Sequence, residues 1–219
     1  MTISDENFYH PLFSPWLGFG EFPTFHRRAA DHTLVSPDRC YIIYTLAKQA
    51  LNLVGDFWEC GVYKGGTAAM LAEIIARIGP RRNQRLHLFD TFAGMPETDP
   101  DKDLHRRGDF SDTTLEAVKS VVGNDDFTAY HQGLIPNTFK GLEHARISFA
   151  HIDVDIYKSV SDCCLFIFPR LVRGGFIIFD DYGFPSCPGA RSAVDEYFRW
   201  TTTYPLVLPT GQAIIFKNH

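Results

Sequence analysis

The chain has 219 residues, with 45% hydrophobic and 21% charged residues and a formal net charge of −5 at pH 7. These values are ordinary for a globular protein with a sizeable core. The acidic balance argues against a nucleic-acid partner, and no apolar run approaches the roughly 18 residues of a membrane span. Five cysteines without CxxC spacing, and no signal-peptide pattern, predict reduced thiols in a cytoplasmic protein.

Residues 1–35 are rich in aromatic residues, proline and glycine and show no periodicity. The aromatic side chains are Phe8, Tyr9, Phe13, Trp16, Phe19, Phe22 and Phe25. Apolar side chains on an irregular segment must be buried against something. We therefore expect residues 1–35 to form an arm packed over the core, a lid over a substrate pocket, or a contact in a homo-oligomer.

Residues 36–219 read as one domain in which strands alternate with helices. Strands are predicted at 56–61, 85–90, 127–131, 147–153 and 176–180. Helices are predicted at 36–54, 67–78, 113–122, 159–171 and 189–200, followed by a hairpin of 205–208 and 213–216. This alternation predicts an α/β fold with a doubly wound, mostly parallel seven-stranded sheet and an antiparallel C-terminal hairpin.

Carboxylates close two of the predicted strands. The apolar run 147–152 ends at Asp153 and Asp155, and the run 176–179 ends at Asp180 and Asp181. Ligands of open parallel sheets bind at such strand ends, where four carboxylates would repel one another. A hard divalent cation with oxygen ligands would relieve this repulsion, although acids in such turns also serve as caps. Because Asp155 alternates to the other side of the strand end, we expect it to cap the next helix or pair with Lys158.

A glycine-rich turn follows the first strand, in the sequence ECGVYKGGT from Glu59 to Thr67. It matches neither the GxGxxG pattern nor a P-loop. Its glycines allow a ligand to approach the backbone, or simply a tight turn. Asp90, at the end of the second strand, could accept hydrogen bonds from ribose hydroxyls or cap a turn. Together the two features favour an adenosine-type ligand.

Five motifs over about residues 35–198 resemble the macrocin O-methyltransferase family. They are ECGVYKGGT, LFDTFAGMP, HIDVDIYKS, FPRLVRGGFIIFDDYG and PGARSAVDEYF. The family belongs to the class I methyltransferase fold, which is Rossmann-like and uses S-adenosylmethionine. The resemblance implies Mg²⁺-dependent transfer of a methyl group to a hydroxyl of a small molecule, often a sugar on a natural product.

The resemblance also implies roles for individual residues. It assigns cofactor binding to Glu59, Gly61, Gly65, Gly66, Asp90, Asp109, Phe110 and His151. Asp90 would hold the ribose, Asp109 and Phe110 would flank the adenine, and His151 would sit beside the cofactor. The metal ligands implied are Asp153, Asp180 and Asp181.

Methyl transfer to an alcohol requires that its proton be removed, and a bound metal lowers the pKa of the hydroxyl. Asp153 is the candidate catalytic residue that accepts this proton, and a nearby histidine is the alternative. His105 could be carried in by its loop, but we expect a solvated side chain there, and structural roles for His131 and His151. Two other functions stay open: a nicotinamide-dependent oxidoreductase and a non-catalytic cofactor-binding module.

Overall fold

The computed structural model describes residues 14–79 and 83–218, so Phe8, Tyr9 and Phe13 lie outside the described residues. Its α-helices are α1 (Phe22–His26), α2 (Pro37–Ala50), α3 (Gly66–Ile78), α4 (Leu115–Val122), α5 (Tyr157–Arg170) and α6 (Pro188–Phe198). Its strands are β1 (Asp56–Cys60), β2 (Leu86–Asp90), β3 (Thr128–Gln132), β4 (Ile147–Ile152), β5 (Leu171–Phe179), β6 (Leu206–Val207) and β7 (Ala213–Phe216). None of the helices in these segments has the length and apolar character to cross a bilayer.

The seven strands form one sheet in the order β3-β2-β1-β4-β5-β7-β6. Strands β1 to β5 pair in parallel, whereas β7 pairs antiparallel with both β5 and β6. The strand order reverses between β1 and β4, and open α/β sheets bind ligands at such a reversal, at the carboxyl ends of the strands. The predicted doubly wound sheet with an antiparallel hairpin is confirmed.

Each face of the sheet has its own hydrophobic core, because successive side chains of a strand point to opposite faces. On β1, Phe57 belongs to the core beneath α2 and α3, and Trp58 belongs to the core beneath α5 and α6. Both side chains are fully buried, which stabilises the fold by about 1.5–3 kcal/mol for each side chain of this size. The same alternation directs Glu59 to the face that α2 covers.

Several predicted boundaries differ from the structure by one to five residues, and two of them lie next to the carboxyl ends of the strands or change the extent of a central strand. Helix α5 begins at Tyr157 rather than at residue 159, and β5 begins at Leu171 rather than at residue 176. Gly174 and Gly175 lie inside β5, where the pairing with β4 is irregular, and do not form a separate turn. The sequence predicts a later start for this strand because a pair of glycines usually indicates a turn. In the folded protein, pairing with a neighbouring strand can hold two glycines in a sheet.

The described part of the arm is more regular than its sequence indicates. It contains a 3-10 helix at Pro15–Leu17 and the short helix α1. Phe22 and Phe25 of α1 are buried, and both rings contact Tyr44 of α2 at 5.3–5.5 Å between centroids. This segment therefore packs as part of the core beneath α2.

The arm then crosses the start of α3 in close contact with two glycines. The Gly66 N–H donates to the His32 carbonyl at 3.1 Å, and a Cβ on Gly66 would lie 2.7 Å from backbone atoms of Ala29 and His32. Gly65, at the N-cap of α3, has a φ of 85°. Directly after β1, a Cβ on Gly61 would overlap the carbonyl of Asp153. Gly61 and Gly66 therefore make room for the protein's own backbone, and Gly65 supplies the left-handed φ at the N-cap.

The contact between the arm and α3 can be tested with Gly66→Ala. Helix propensity favours alanine by up to about 1 kcal/mol, so propensity alone predicts a more stable protein. The overlap with Ala29 and His32 predicts instead a loss of about 1–3 kcal/mol in the free energy of unfolding, as overpacking usually costs. Urea denaturation measures this change. Gly66 does not have a positive φ, so alanine there meets the steric overlap without left-handed strain, and a stabilised Gly66→Ala protein would contradict the packing of the arm.

Candidate active site

The carboxyl ends of the parallel strands open into a cleft of about 280 Å³. Its walls come from the arm at residues 32–35 and from the segments that follow β1, β2, β3, β4 and β5. Of the residues predicted to bind cofactor or metal, those that line the cleft are Gly61, Asp90, Phe110, Asp153 and Asp181. Those that lie outside its lining are Glu59, Gly65, Gly66, Asp109, His151 and Asp180.

The acids at the ends of β4 and β5 meet at one end of the cleft. Asp153, Asp180 and His151 each offer a ligand atom, and these three atoms lie within 4.8 Å of one another. The Asp181 carboxylate accepts a hydrogen bond from the Asp155 N–H at 2.9 Å. The structure thus brings Asp153 and Asp180 together as predicted, with Asp181 beside them on the cleft wall.

A buried row of three polar side chains, Glu59, His151 and Asp180, crosses the sheet at the acidic end of the cleft. His151 lies with Nδ1 at 2.9 Å from Glu59 Oε1 and with Nε2 at 3.3 Å from Asp180 Oδ1. All three side chains are fully buried, and the Gln212 amide donates to Asp180 at 2.7 Å. Glu59 Oε2 is buried without a hydrogen-bond partner among the described residues. His151 therefore sits behind the cleft, where it bridges two carboxylates.

The partners of each group decide the direction of its pKa shift. Burial would lower the pKa of His151, but hydrogen bonds with Asp180 and Glu59 raise it well above its usual range, so these contacts favour the protonated ring. Burial would raise the pKa of Asp180, but His151, Arg39 and Gln212 lower it. Burial and then the Asp180 charge raise the pKa of Asp153 well above its usual range.

Asp181 adds a further buried acid to this end of the cleft. Its pKa is raised well above the usual range by burial and then by the charges of Asp155, Asp153 and Asp180. Arg39 contacts Asp180, but the side chain of Asp153 has no hydrogen-bond or ion-pair partner in the part of the chain that the structure describes. An uncompensated cluster of carboxylate oxygens is the donor set that a hard cation such as Mg²⁺ prefers, so these residues fit such an ion.

Asp90 organises the turn after β1. Its Oδ2 accepts hydrogen bonds from the Val62 and Tyr63 N–H groups at 2.7 and 3.0 Å, and its Oδ1 accepts one from the Phe92 N–H at 2.7 Å. The carboxylate lines the cleft while it holds the turn. Its predicted contact with a ribose stays a prediction.

The long loop after β2 brings His105 into the cleft wall. His105 packs against the ring of Phe110 at 5.4 Å, and its Nδ1 lies 3.1 Å from Asp109 Oδ2. The prediction of a solvated side chain was therefore wrong for His105. The spacing of His105 and Asp109, four residues apart, is the only local signal of this pair.

The predicted roles of Asp155 as a helix cap and as a partner of Lys158 were also wrong. Lys158 pairs with Asp162, one turn further along α5, and the first N–H of α5, that of Tyr157, donates to Asp103 at 2.8 Å. Asp155 has a φ of 59° and directs its carboxylate towards His105 and Cys187. Asp103 comes from the loop after β2, so a distant segment supplies the cap that the sequence seemed to assign to Asp155.

Arg39 is a cleft residue that the sequence did not single out. From α2, its guanidinium contacts Asp180, donates to the Leu34 carbonyl of the arm at 2.9 Å, and lies 4.7 Å from the centre of the Phe184 ring. It thus joins the arm to the acids. No local pattern marks Arg39, because its partner in the sheet is 141 residues away.

Comparisons of sequence and of structure both match this chain to known proteins. The macrocin-O-methyltransferase (TylF) family model matches residues 29–206. The 8-demethyl-8-(2,3-dimethoxy-alpha-L-rhamnosyl)-tetracenomycin-C 4'-O-methyltransferase of Streptomyces olivaceus is 30% identical over 203 residues, which cover 85% of this chain and 76% of that protein.

Solved structures share the fold. The O-methyltransferase NovP superposes with a TM-score of 0.77 and 25% identity, covering 86% of this chain and 83% of its own. TomG of Streptomyces achromogenes, described as involved in tomaymycin synthesis and solved in complex with SAM, superposes with a TM-score of 0.56 and 14% identity. The match to TomG covers 90% of this chain and 89% of TomG, and it shows the fold alone.

These relatives offer no support for a nicotinamide-dependent oxidoreductase or for a non-catalytic module. The family model spans most of the chain, including the cleft segments from the arm to the helix after β5. The chain belongs to the macrocin-O-methyltransferase family and is an O-methyltransferase.

Proposed function

We propose that the chain transfers the methyl group of S-adenosylmethionine to a hydroxyl of a small molecule, such as a sugar on a natural product, with Mg²⁺ bound at the acidic end of the cleft. The observation that carries this proposal is the meeting of Asp153 and Asp180, with Asp181 beside them, at the ends of β4 and β5. The rhamnosyl group named in the Streptomyces olivaceus relative supports a sugar as acceptor.

In this proposal the cofactor lies along the turn after β1. Gly61, Asp90 and Phe110 line this part of the cleft and would contact the cofactor directly. Glu59, His151, Gly65, Gly66 and Asp109 support the same region from behind the lining, where Glu59 Oε2 is available to accept a hydrogen bond. The carboxylates of Asp153 and Asp181 favour a sulfonium cation near them, because opposite charges attract strongly in a partly buried site.

The metal ligands proposed are Asp153, Asp180 and Asp181. Bound Mg²⁺ would lower the pKa of a coordinated acceptor hydroxyl and orient it. Asp153 has no competing partner among the described residues, so one of its oxygens is free to accept the hydroxyl proton. Asp180 contacts Arg39, and this guanidinium offsets the charge of Asp180 but contacts neither Asp153 nor Asp181 among the described residues.

The rest of the cleft suits an acceptor with an apolar part. Leu34 of the arm and Leu134 after β3 line the cleft and are 66% and 49% exposed, so apolar surface borders its opening. Exposed apolar surface of this kind often marks a binding site. The arm is therefore proposed to form part of the acceptor site, as the lid prediction for residues 1–35 requires.

The catalytic role of Asp153 is tested by Asp153→Asn. Loss of a general base, together with a metal ligand, should lower the rate of S-adenosylhomocysteine release by about 10²–10⁴-fold. Calorimetry should show that S-adenosylmethionine still binds, because the turn after β1 is unchanged. Asp162→Asn, which removes a carboxylate paired with Lys158 on α5, is the matched control. Turnover of Asp153→Asn within threefold of the unmodified protein would exclude Asp153 as the base.

The metal requirement is tested by chelation. Dialysis against EDTA should abolish methyl transfer, and added Mg²⁺ should restore it, because the acceptor hydroxyl is too weak an acid to react without the ion. The readout is S-adenosylhomocysteine release measured before and after each step. Full activity in EDTA would remove Mg²⁺ from the proposal while leaving the methyl transfer itself intact.

A further inference from the structure

An imidazole, a carboxylate and a thiol lie together on the wall of the cleft. They are separate from the buried row of Glu59, His151 and Asp180. His105, Asp155 and Cys187 each offer one atom, and all three residues line the cleft. The Cys187 sulfur lies 3.6 Å from His105 Nε2 and 3.6 Å from Asp155 Oδ1, and His105 Nε2 lies 3.7 Å from Asp155 Oδ1. The three atoms therefore form a nearly equilateral triangle.

This triangle has the dimensions of one face of a tetrahedral zinc site. Zinc bonds of about 2.3 Å to sulfur, about 2.0–2.1 Å to nitrogen and about 2.0–2.2 Å to oxygen give ligand-to-ligand distances of roughly 3.4–3.6 Å in a tetrahedron. The observed separations of 3.6, 3.6 and 3.7 Å agree with these distances within a few tenths of an ångström. An ion could bind with little movement of the three side chains.

Asp109 orients the histidine as carboxylates do at many metal sites. Asp109 Oδ2 accepts a hydrogen bond from His105 Nδ1 at 3.1 Å, and it is itself held by the Arg106 N–H at 3.0 Å. A proton on Nδ1 leaves the lone pair of the neutral ring on Nε2, the atom that faces Asp155 and Cys187. A carboxylate behind a ligating histidine in this way fixes both the tautomer and the ring orientation.

The ligands are fixed by three separate segments. The loop that carries His105 is anchored by Asp103, which is buried and accepts the Tyr157 N–H at the start of α5. Asp155 is held through its N–H by Asp181. Cys187 is buried at the N-cap of α6, where its side chain makes no capping hydrogen bond. The site is thus assembled before any ion arrives.

We propose that His105, Asp155 and Cys187 form a second metal site, which binds a thiophilic divalent cation such as Zn²⁺ and is distinct from the oxygen-ligand site of the acids. Binding would form a metal–sulfur bond as the thiol S–H bond breaks, and the proton would pass to solvent. The fourth coordination position faces the cleft. Thiolate and imidazole select this class of ion, whereas Mg²⁺ prefers oxygen ligands alone.

The probe for this site is Co²⁺ added alone to the full chain, with no cofactor present. A cobalt–thiolate bond gives a charge-transfer absorption band in the near ultraviolet, and we expect about one equivalent of ion to produce it. Zn²⁺ at equal concentration should displace the band, and millimolar Mg²⁺ should not. Because no methyl transfer is measured, the outcome is independent of the proposed function.

Two variants and two controls assign the band to these residues. Cys187→Ser should abolish it, and His105→Gln should weaken Co²⁺ binding at least tenfold. Cys164→Ala, in the buried core beneath α5, and His144→Gln, on the exposed surface, should leave the band unchanged. Circular dichroism and thermal unfolding establish that each variant is folded.

A band that persists in folded Cys187→Ser, or no band in the unmodified protein, would overturn the proposal. So would displacement of Co²⁺ by Mg²⁺. In each of these cases the close contacts among His105, Asp155 and Cys187 would be hydrogen bonds and an ion-pair contact only.

Discussion

The cleft depends on one buried electrostatic arrangement, the row of Glu59, His151 and Asp180 across three neighbouring parallel strands. Two acidic side chains can be buried together here because each pairs with one ring nitrogen of His151. Removal of one partner from such a group typically costs about 3–5 kcal/mol, since it leaves a buried charge uncompensated. The row therefore fixes the relative positions of the ends of β1, β4 and β5, from which the acids of the cleft project.

Arg39 connects this row to the surface. Its guanidinium contacts Asp180, while its other bonds reach Ser36 and the carbonyl of Leu34 in the arm. The arm is also held where His32 accepts the Gly66 N–H at the start of α3. The segment that borders the cleft opening is thus coupled, through one side chain, to the charge at the cleft's acidic end.

Two kinds of donor set lie close together in this cleft. The ends of β4 and β5 present carboxylate oxygens, whereas the loop after β2 and the N-cap of α6 add an imidazole and a thiol around Asp155. The Asp155 N–H donates to Asp181, so the two sets share one backbone connection. An ion that bound to one set would alter the electrostatic environment of the other.

The sequence by itself determined the order of strands and helices, the acids at two strand ends, and the motifs that identify the family. These features are local, because apolar runs, glycine turns and a carboxylate after an apolar run are each visible within a few residues. The meeting of Asp153 with Asp180 followed from topology, since adjacent parallel strands end at the same edge of a sheet.

Only the tertiary structure decided which side chains complete the cleft. Arg39 reaches Asp180 across 141 residues, Cys187 reaches His105 across 82, and Asp103 caps α5 from 54 residues away. No periodicity encodes such contacts, because they depend on how loops fold back over the finished sheet. For the same reason the sequence misjudged His105 and Asp155, whose surroundings exist only after the loop after β2 has packed against the start of α5.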